Sequence, residues 1–172
     1  MSLSGSFLVA RPVLQDPNFA RSVVLLLAHS ADGAFGLVVN RPVPDAIEGL
    51  PFTLFHGGPC PAPGLLLLHG HPEWRRPDPD LPEQASTEEV APGVFVGDAA
   101  CLERAREAEP GRELRLRVFG GYSGWAGGQL EAEIAAGAWA VVTASAELLF
   151  GTPAEDLWDR LAPPPIPQPS VN

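Results

Sequence analysis

Lysine is absent from the 172-residue sequence, and all 11 basic side chains are arginines. Without a lysine amine the chain cannot supply the phosphate contact of a P-loop, a Schiff base or the base of a Ser–Lys dyad. The absence therefore excludes P-loop nucleotide hydrolases, Schiff-base enzymes and Ser–Lys hydrolases as functions of this chain.

Positive charge is scarce as a whole, because 11 basic residues face 21 acidic ones and the formal net charge is −10. Non-specific nucleic-acid binding depends on cationic side chains that neutralise phosphates, and an acidic protein opposes it. We therefore expect no nucleic-acid partner. An unknown protein or a small anionic ligand held by local arginines remains as the expected partner.

Cysteine and long hydrophobic runs are also scarce. Cys60 and Cys101 lie far apart and form no C-x-x-C motif, which predicts two thiols that form no disulfide. No apolar run is long enough to span a bilayer, and the first apolar stretch lacks the basic flank of a signal peptide. We expect a cytoplasmic protein with no membrane segment, and the length suits one globular domain.

The clearest structural signal is a β-hairpin between Ser22 and Pro42. Two apolar runs, Val23 to Ala28 and Phe35 to Val39, flank a polar joint that contains Asp32-Gly33. β-Branched and aromatic residues favour strands, and Asp-Gly supplies the positive φ of a tight turn. The pattern predicts a hairpin in the middle of a sheet.

Further strands are indicated by short apolar or alternating segments. They are Ser6 to Ala10, Phe52 to His56, Gly64 to His69, Gly93 to Val96, Leu114 to Phe119 and Ala140 to Ala144. Helices are predicted from Asp98 through about Glu109, from Gln129 to Ala136, and after a capping box at Thr152-Pro153-Ala154-Glu155. Because strands outnumber helices without regular alternation, we predict an α+β fold with a mixed, mostly antiparallel sheet.

Composition changes mark the loops and the boundaries of the domain. Gly70 to Pro92 is rich in Pro, Asp, Glu and Arg and is interpreted as an exposed excursion. Gly120 to Gly128 is interpreted as a glycine-rich loop. The end of the chain, PPPIPQPSVN, has polyproline character. We therefore predict one domain over residues 1–162 and a flexible tail over residues 163–172.

Five segments of the sequence occur together in one known family. They are SFLVARPVLQDPNFARSVV from Ser6, GAFGLVVNRP from Gly33, Gly57-Gly58-Pro59, GYSGWAGGQLE from Gly121 and LFGTPAEDLW from Leu149. In this combination the chain, from about Gly5 to Leu161, resembles the YqgE/AlgH family, described as transcriptional regulators of unassigned biochemical activity. The resemblance implies a compact α+β domain with a large, bulged, mixed sheet.

Ser123 raises the question of a serine hydrolase, because it follows a strand in a glycine-rich segment. The nucleophile elbow requires G-x-S-x-G, and Trp125 stands where the second glycine belongs. A tight turn with two aromatic side chains on the core explains the segment. An anion site at free amides ahead of the Gln129 helix is the alternative.

The histidines raise the question of a metal site. His69 and His71 are two residues apart on a predicted strand and share a face, with His56 near them. Zinc requires three or four protein ligands, no carboxylate is spaced to complete the set, and Pro72 interrupts the strand. We therefore expect surface or strand-end histidines and no metal or other cofactor.

Two pairs of acids on predicted helices are candidates for acid–base catalysis. Glu131 and Glu133 are two residues apart and do not face each other on a helix. Asp156 and Asp159 can be neighbours, but they lie on the polar side of their helix. Solvated helix faces explain all four residues, so no catalytic residue is assigned.

The remaining candidate site consists of polar and glycine residues at predicted strand ends and loops. Its members are Arg11, Arg21, Asn40, Arg41, Gly57, Gly58, Tyr122, Trp125 and Gln129. Loops on a rigid scaffold often carry binding groups, and arginine forks recognise carboxylate or phosphate. Salt bridges to Asp16 or Glu133 are the structural alternative for the arginines.

These observations predict a non-enzymatic binding or regulatory protein with a groove beside the central hairpin. Missing catalytic motifs and the family resemblance support it. The alternative is a hydrolase that acts on a small ester or phosphate through Ser123 or a histidine.

Overall fold

A computed structural model of the protein describes residues 2–44, 53–75, 88–97, 101, 105 and 114–162. The strands are β1 (Ser6–Ala10), β2 (Val23–Ser30), β3 (Gly33–Val38), β4 (Leu54–His56), β5 (Leu66–His69), β6 (Glu88–Ala91), β7 (Val94–Gly97), β8 (Leu116–Gly120), β9 (Ser123–Ala126) and β10 (Trp139–Thr143). The helices with described bounds are α1 (Gln129–Ala135), α2 (Ala146–Gly151) and α3 (Ala154–Leu161), and Pro72–Arg75 forms a 3-10 turn.

The strands form two five-stranded sheets. The first has the order β10-β1-β2-β3-β9 and is antiparallel throughout. The second has the order β4-β8-β5-β7-β6, in which only β4 and β8 run parallel. The register shifts between Leu26 and Ala28 and between Glu89 and Ala91. The α+β class and the mixed, mostly antiparallel, bulged pairing are confirmed, with the strands divided between two sheets.

The central hairpin is formed by β2 and β3, which lie in the middle of the first sheet as predicted. Ser30 pairs with Gly33, so the turn residues are Ala31 and Asp32, one position earlier than expected. Gly33 opens β3 with φ 146°, and a Cβ there would lie 2.5 Å from the Trp125 carbonyl oxygen. Glycine is therefore required where β3 begins beside β9.

Both faces of the first sheet are buried, because alternate side chains enter two different apolar clusters. Phe7 and Leu25 join Phe119 of the second sheet in a cluster between the two sheets. Leu8 packs on the opposite face with Trp139 and with Leu130 of α1. A strand covered on both faces has no polar side, which is why the buried parts of β1 and β2, residues 7–10 and 23–26, are unbroken apolar runs. Leu67, Leu116 and Val118 form a third cluster with Cys101 and Ala105.

Two segments predicted as loops contain strands. Gly70 to Pro92 contains the Pro72–Arg75 turn and β6, and its other part lies outside the described residues. β6 pairs only with β7 at the edge of its sheet, so its glutamates stay exposed and leave no apolar pattern. Gly120 to Gly128 contains β9, which pairs with β3 in spite of its glycine content.

The capping box predicted at Thr152 is wrong. Pro153 is the N-cap of α3 and no side chain caps that helix. Thr152 is instead the extended C-cap of α2, a helix that the sequence analysis does not predict. Its N-cap is Ser145, whose Oγ accepts the Leu148 N–H at 3.3 Å. The Thr152 hydroxyl does not cap α3, because its Oγ1 instead accepts a hydrogen bond from Arg160 Nη1 at 3.3 Å.

Some predicted features lie outside the described residues. Cys101 and Ala105 are helical, whereas the expected Asp98 cap, the helix end near Glu109 and the 163–172 tail are not described. Within the described ranges, no helix combines the length and the apolar character that crossing a bilayer requires.

Candidate functional site

A cleft of about 480 Å³ opens beside the tip of the central hairpin. The end of β2 and the turn after it form one wall, and the start of α1 forms the other. Its lining residues are Ser2, His29, Ser30, Ala31, Gly128 and Glu131. The sequence predicts a groove beside the central hairpin, but none of the nine predicted site residues lines this cleft.

His29 connects the two walls of this hairpin cleft. Its Nδ1 accepts the Leu3 backbone N–H at 2.9 Å, so the ring proton is on Nε2, which donates to the Glu131 carboxylate. Only 6% of the His29 side chain is exposed, against 48% of the Glu131 side chain. The hydrogen bond from His29 is the main reason that the pKa of Glu131 lies below its usual value. The cleft therefore presents a fixed, ionised carboxylate.

Replacing His29 with phenylalanine is expected to raise the pKa of Glu131 toward its ordinary value, because the hydrogen bond to the carboxylate is lost. The lowered pKa stabilises the fold above the ordinary carboxyl pKa, and this contribution disappears as the pH falls through the lowered value. A carbon-detected NMR titration of the Glu131 carboxyl measures the shift. Ser30→Ala, in the same cleft, is the control and leaves that pKa in place. An unchanged pKa in His29→Phe would contradict this account.

Three predicted site residues lie together at the start of β2, where they hold the connector between β1 and β2. Asn40 Oδ1 accepts the Val23 N–H at 3.0 Å, and its Nδ2 donates to the Arg21 carbonyl at 3.0 Å. Arg41 donates to the carbonyls of Asn18 and Ala20. Burial lowers the pKa of Arg41, opposed by the charge of Asp16. The side chains of Asn40 and Arg41 therefore form their hydrogen bonds with backbone atoms.

Arg21 and Arg11 have different surroundings. Arg21 has φ 59°, pairs with Asp159 at 3.5 Å, and its guanidinium lies 4.4 Å from the Trp158 ring centroid. Arg11 is half-buried, and its backbone N–H donates to the Ala138 carbonyl at 2.9 Å. The expected partners Asp16 and Glu133 form no ion pair with either arginine within the described part of the chain.

Gly57, Gly58 and Tyr122 join the two sheets. The Gly57 carbonyl accepts the Val38 N–H of β3 at 2.8 Å, and its own N–H donates to Gly120 of β8 at 2.9 Å. A Cβ on Gly57 or Gly58 would collide with the carbonyl oxygens of Gly121 or Tyr122. Two β-bridge hydrogen bonds of 3.0 Å link Tyr122 and Cys60. These glycines are required for the close approach of two backbones.

Trp125 and Gln129 belong to a cluster around Glu133. Glu133 Oε1 accepts the indole N–H of Trp125 at 3.2 Å and of Trp139 at 3.0 Å, and its Oε2 accepts the Gln129 amide at 3.0 Å. Phe19 packs on both indoles, with ring centroids 5.9 and 5.6 Å away. Glu133 is thus a specific acceptor, and its interpretation as part of a solvated helix face is wrong.

Ser123 is fully buried in β9, and its hydroxyl donates to the Gly57 carbonyl at 3.1 Å. A nucleophile needs an accessible hydroxyl and a base that accepts its proton. Ser123 has neither an exposed hydroxyl nor a base as its hydrogen-bond acceptor, so its geometry gives it a structural role at the junction of the sheets.

Proteins of one known family are similar to this chain in sequence and in fold. The sequence profile of the AlgH-like family matches residues 7–163. The chain belongs to the AlgH-like family. It is 34% identical over 174 residues to a UPF0301 protein of Acidovorax sp. strain JS42, covering 93% of this chain and 87% of the relative. A UPF0301 protein of Chlamydia pneumoniae is 37% identical over 165 residues, covering 90% and 82%.

Solved structures of similar proteins agree with the fold. The solution structure of the AlgH protein from Pseudomonas aeruginosa matches with a TM-score of 0.67 and 31% identity, covering 93% of this chain and 87% of that one. A crystal structure of a Corynebacterium diphtheriae protein matches with a TM-score of 0.72 and 24% identity, covering 92% and 84%. At that identity the second likeness concerns the fold alone.

The sequence predicts surface or strand-end histidines, and in this AlgH-like protein His56 and His69 are the last residues of β4 and β5. His56 is exposed, whereas His69 and His71 are buried and pack their rings against Trp74. His71 Nε2 accepts the Arg115 backbone N–H at 3.0 Å. Within the described residues, no group of three or more His, Cys, Asp or Glu side chains is placed to hold a metal ion.

Eight of the nine predicted site residues divide into three groups, and the sequence analysis missed the residues that line clefts. Arg21, Asn40 and Arg41 form one group, Gly57, Gly58 and Tyr122 a second, and Trp125 with Gln129 a third. Arg11, whose backbone N–H donates to the Ala138 carbonyl, belongs to none of them. Phe19 of the connector contacts Trp125 and so joins the first group to the third. His29 is missed because its partner Glu131 is 102 positions away. The only local signal is its place just before the hairpin turn.

Proposed function

We propose that this AlgH-like protein is a non-enzymatic binding protein that acts in regulation through a protein partner in the cytoplasm. The observation that supports the proposal is the hairpin cleft, whose walls are held together by the hydrogen bond from His29 to Glu131. The start of α1 and the end of β2 are both anchored in the first sheet, so the cleft is built on a rigid scaffold.

The charge of the cleft favours a partner that presents a lysine or arginine side chain. Glu131 is the one carboxylate among the described lining residues, its side chain is half exposed, and its lowered pKa keeps it ionised. The net charge of −10 adds a long-range attraction for a basic partner surface. The same charge disfavours DNA as the direct target. Two arginines that could otherwise contact phosphates have partners within the protein. Arg41 donates hydrogen bonds to backbone carbonyls, and Arg21 pairs with Asp159.

Partner capture with matched variants tests the proposal. Glu131→Gln removes the carboxylate charge in the first turn of α1, and Glu147→Gln makes the same change in the first turn of α2. Full-length protein with a photo-crosslinker at Ala31 is mixed with extract from the source bacterium, and the adducts are quantified by mass spectrometry. We expect Glu131→Gln to reduce the recovery of the specific adduct about fivefold, with Glu147→Gln unchanged.

Two results would contradict the proposal. Equal recovery by both variants would remove the hairpin cleft as the binding surface. Turnover of p-nitrophenyl acetate or p-nitrophenyl phosphate that disappears in Ser123→Ala would show a hydrolase instead. We expect no turnover above buffer, because the Ser123 hydroxyl is buried and donates to a backbone carbonyl.

A further inference from the structure

A second cleft, of about 300 Å³, lies where the second sheet meets the start of α3. None of its lining residues also lines the hairpin cleft. Its residues are Pro42, Thr53, Phe55, Leu114, Leu116, Arg117, Ala154 and Glu155. Of these described lining residues most have apolar side chains, and Arg117 is the one cation. The cleft therefore combines a carbon-rich wall with a single positive charge.

Arg117 is placed where water solvates it poorly. Its guanidinium lies 5.3 Å from the ring centroid of Phe55 and 5.8 Å from that of Phe150, and burial lowers its pKa. A guanidinium nevertheless stays protonated at neutral pH. The structure thus packs the charged Arg117 side chain against two aromatic rings.

The donors of Arg117 are largely unused. Its Nη1 makes one long contact of 3.5 Å with the Leu116 carbonyl, and among the described residues none accepts a hydrogen bond from its buried Nε. Within the part of the chain that the structure describes, no carboxylate forms an ion pair with it, although Glu155 lines the same cleft. Arg41, by contrast, donates to two carbonyls. A poorly solvated cation without a counter-charge is costly unless a ligand supplies one.

We propose that this cleft binds a small monocarboxylic acid with an apolar tail, its carboxylate on the Arg117 guanidinium and its tail against Phe55, Leu114 and Leu116. A carboxylate matches the planar fork of an arginine and uses two donors at once. A volume of about 300 Å³ is at the lower end of ligand pockets, so the acid is small. One cation with an acid on the same wall favours a single charge over a phosphate dianion.

NMR titration of the full-length protein tests the proposal with defined probes. The probes are 4-methylpentanoate, its uncharged amide 4-methylpentanamide, and inorganic phosphate, followed through the backbone amides of Phe55, Leu116 and Arg117. We expect saturable shifts with the acid. The amide and phosphate are expected to bind at least about tenfold more weakly, since each lacks the charge or the tail that the cleft recognises.

Matched variants complete the test. Arg117→Met removes the charge and keeps a side chain of similar volume. Arg115→Met makes the same change at the exposed arginine just before β8 and is the control. Arg117→Met is expected to weaken binding of 4-methylpentanoate at least tenfold and Arg115→Met less than twofold. Arg117→Lys keeps the charge but loses the planar pair of guanidinium donors, and is expected to weaken binding of 4-methylpentanoate about threefold. Absence of saturable shifts, equal affinity for acid and amide in the wild-type protein, or unchanged affinity in Arg117→Met would overturn the proposal.

Discussion

Gly58→Ala is expected to lower the free energy of unfolding by about 3 to 5 kcal/mol, enough to prevent folding of a marginally stable domain. The added Cβ would collide with the carbonyl group of Tyr122 and with the Ser123 hydroxyl, and Gly58 has φ 153°. Backbone atoms cannot move aside as a flexible side chain does. The substitution therefore pushes the Gly57-Gly58 segment away from Tyr122 and Ser123 and breaks the junction between the two sheets. Urea unfolding followed by tryptophan fluorescence measures the loss.

Gly64→Ala is the matched control for this substitution. No heavy atom lies within 4 Å of the position of its Cβ, so its unfolding midpoint is expected to stay close to that of the wild-type protein. If Gly58→Ala unfolded at the same urea concentration as Gly64→Ala, the junction would not depend on close backbone approach. In that case Gly58 would again be a candidate for direct ligand contact.

Glu133→Leu is expected to lower the free energy of unfolding by about 3 kcal/mol, because three donors lose their acceptor at once. These donors are the indole N–H groups of Trp125 and Trp139 and the amide of Gln129. Both indoles are buried, at 6% and 1% exposure, so water replaces the carboxylate poorly. Thermal unfolding followed by near-ultraviolet circular dichroism measures the change and reports on the packing of the indoles.

Two further variants identify the cause of this loss. Glu133→Gln keeps one acceptor oxygen for the indoles and loses only the contact with Gln129, so about 1 kcal/mol is expected. Glu147→Leu, at an exposed position in α2, is expected to change stability by less than about 0.5 kcal/mol. Equal stability of Glu133→Leu and Glu147→Leu would show that the carboxylate is only a solvated surface group.

The family segments have mainly structural explanations in this fold. Asn40 and Arg41 fix the connector before β2, Gly57 and Gly58 join the sheets, and Trp125 packs under Phe19. These motifs therefore account for how the domain is assembled. The proposed binding residues Glu131 and Arg117 differ in this respect, because each presents its charge to a cleft. Function is then expected to depend on few side chains.

Local sequence patterns predicted those parts of the fold that short-range chemistry controls. The hairpin of β2 and β3, the strands β1 and β8 and the helix α1 follow from the spacing of apolar residues, although the hairpin turn lies one position before Asp32-Gly33. β6 and β9 were missed because one is a polar edge strand and the other is rich in glycine. For both, pairing with a neighbouring strand overrides a weak local preference.

The sequence by itself determined the lysine-free chemistry, the acidic charge, the α+β class and the central hairpin, because composition and short-range periodicity are properties of the chain alone. Only the tertiary structure decided which polar groups form hydrogen bonds within the protein and which face a cleft. His29 meets Glu131 across 102 positions, and Arg117 meets Phe150 from another element. Such contacts depend on how the sheets and helices pack, and no spacing along the chain encodes them.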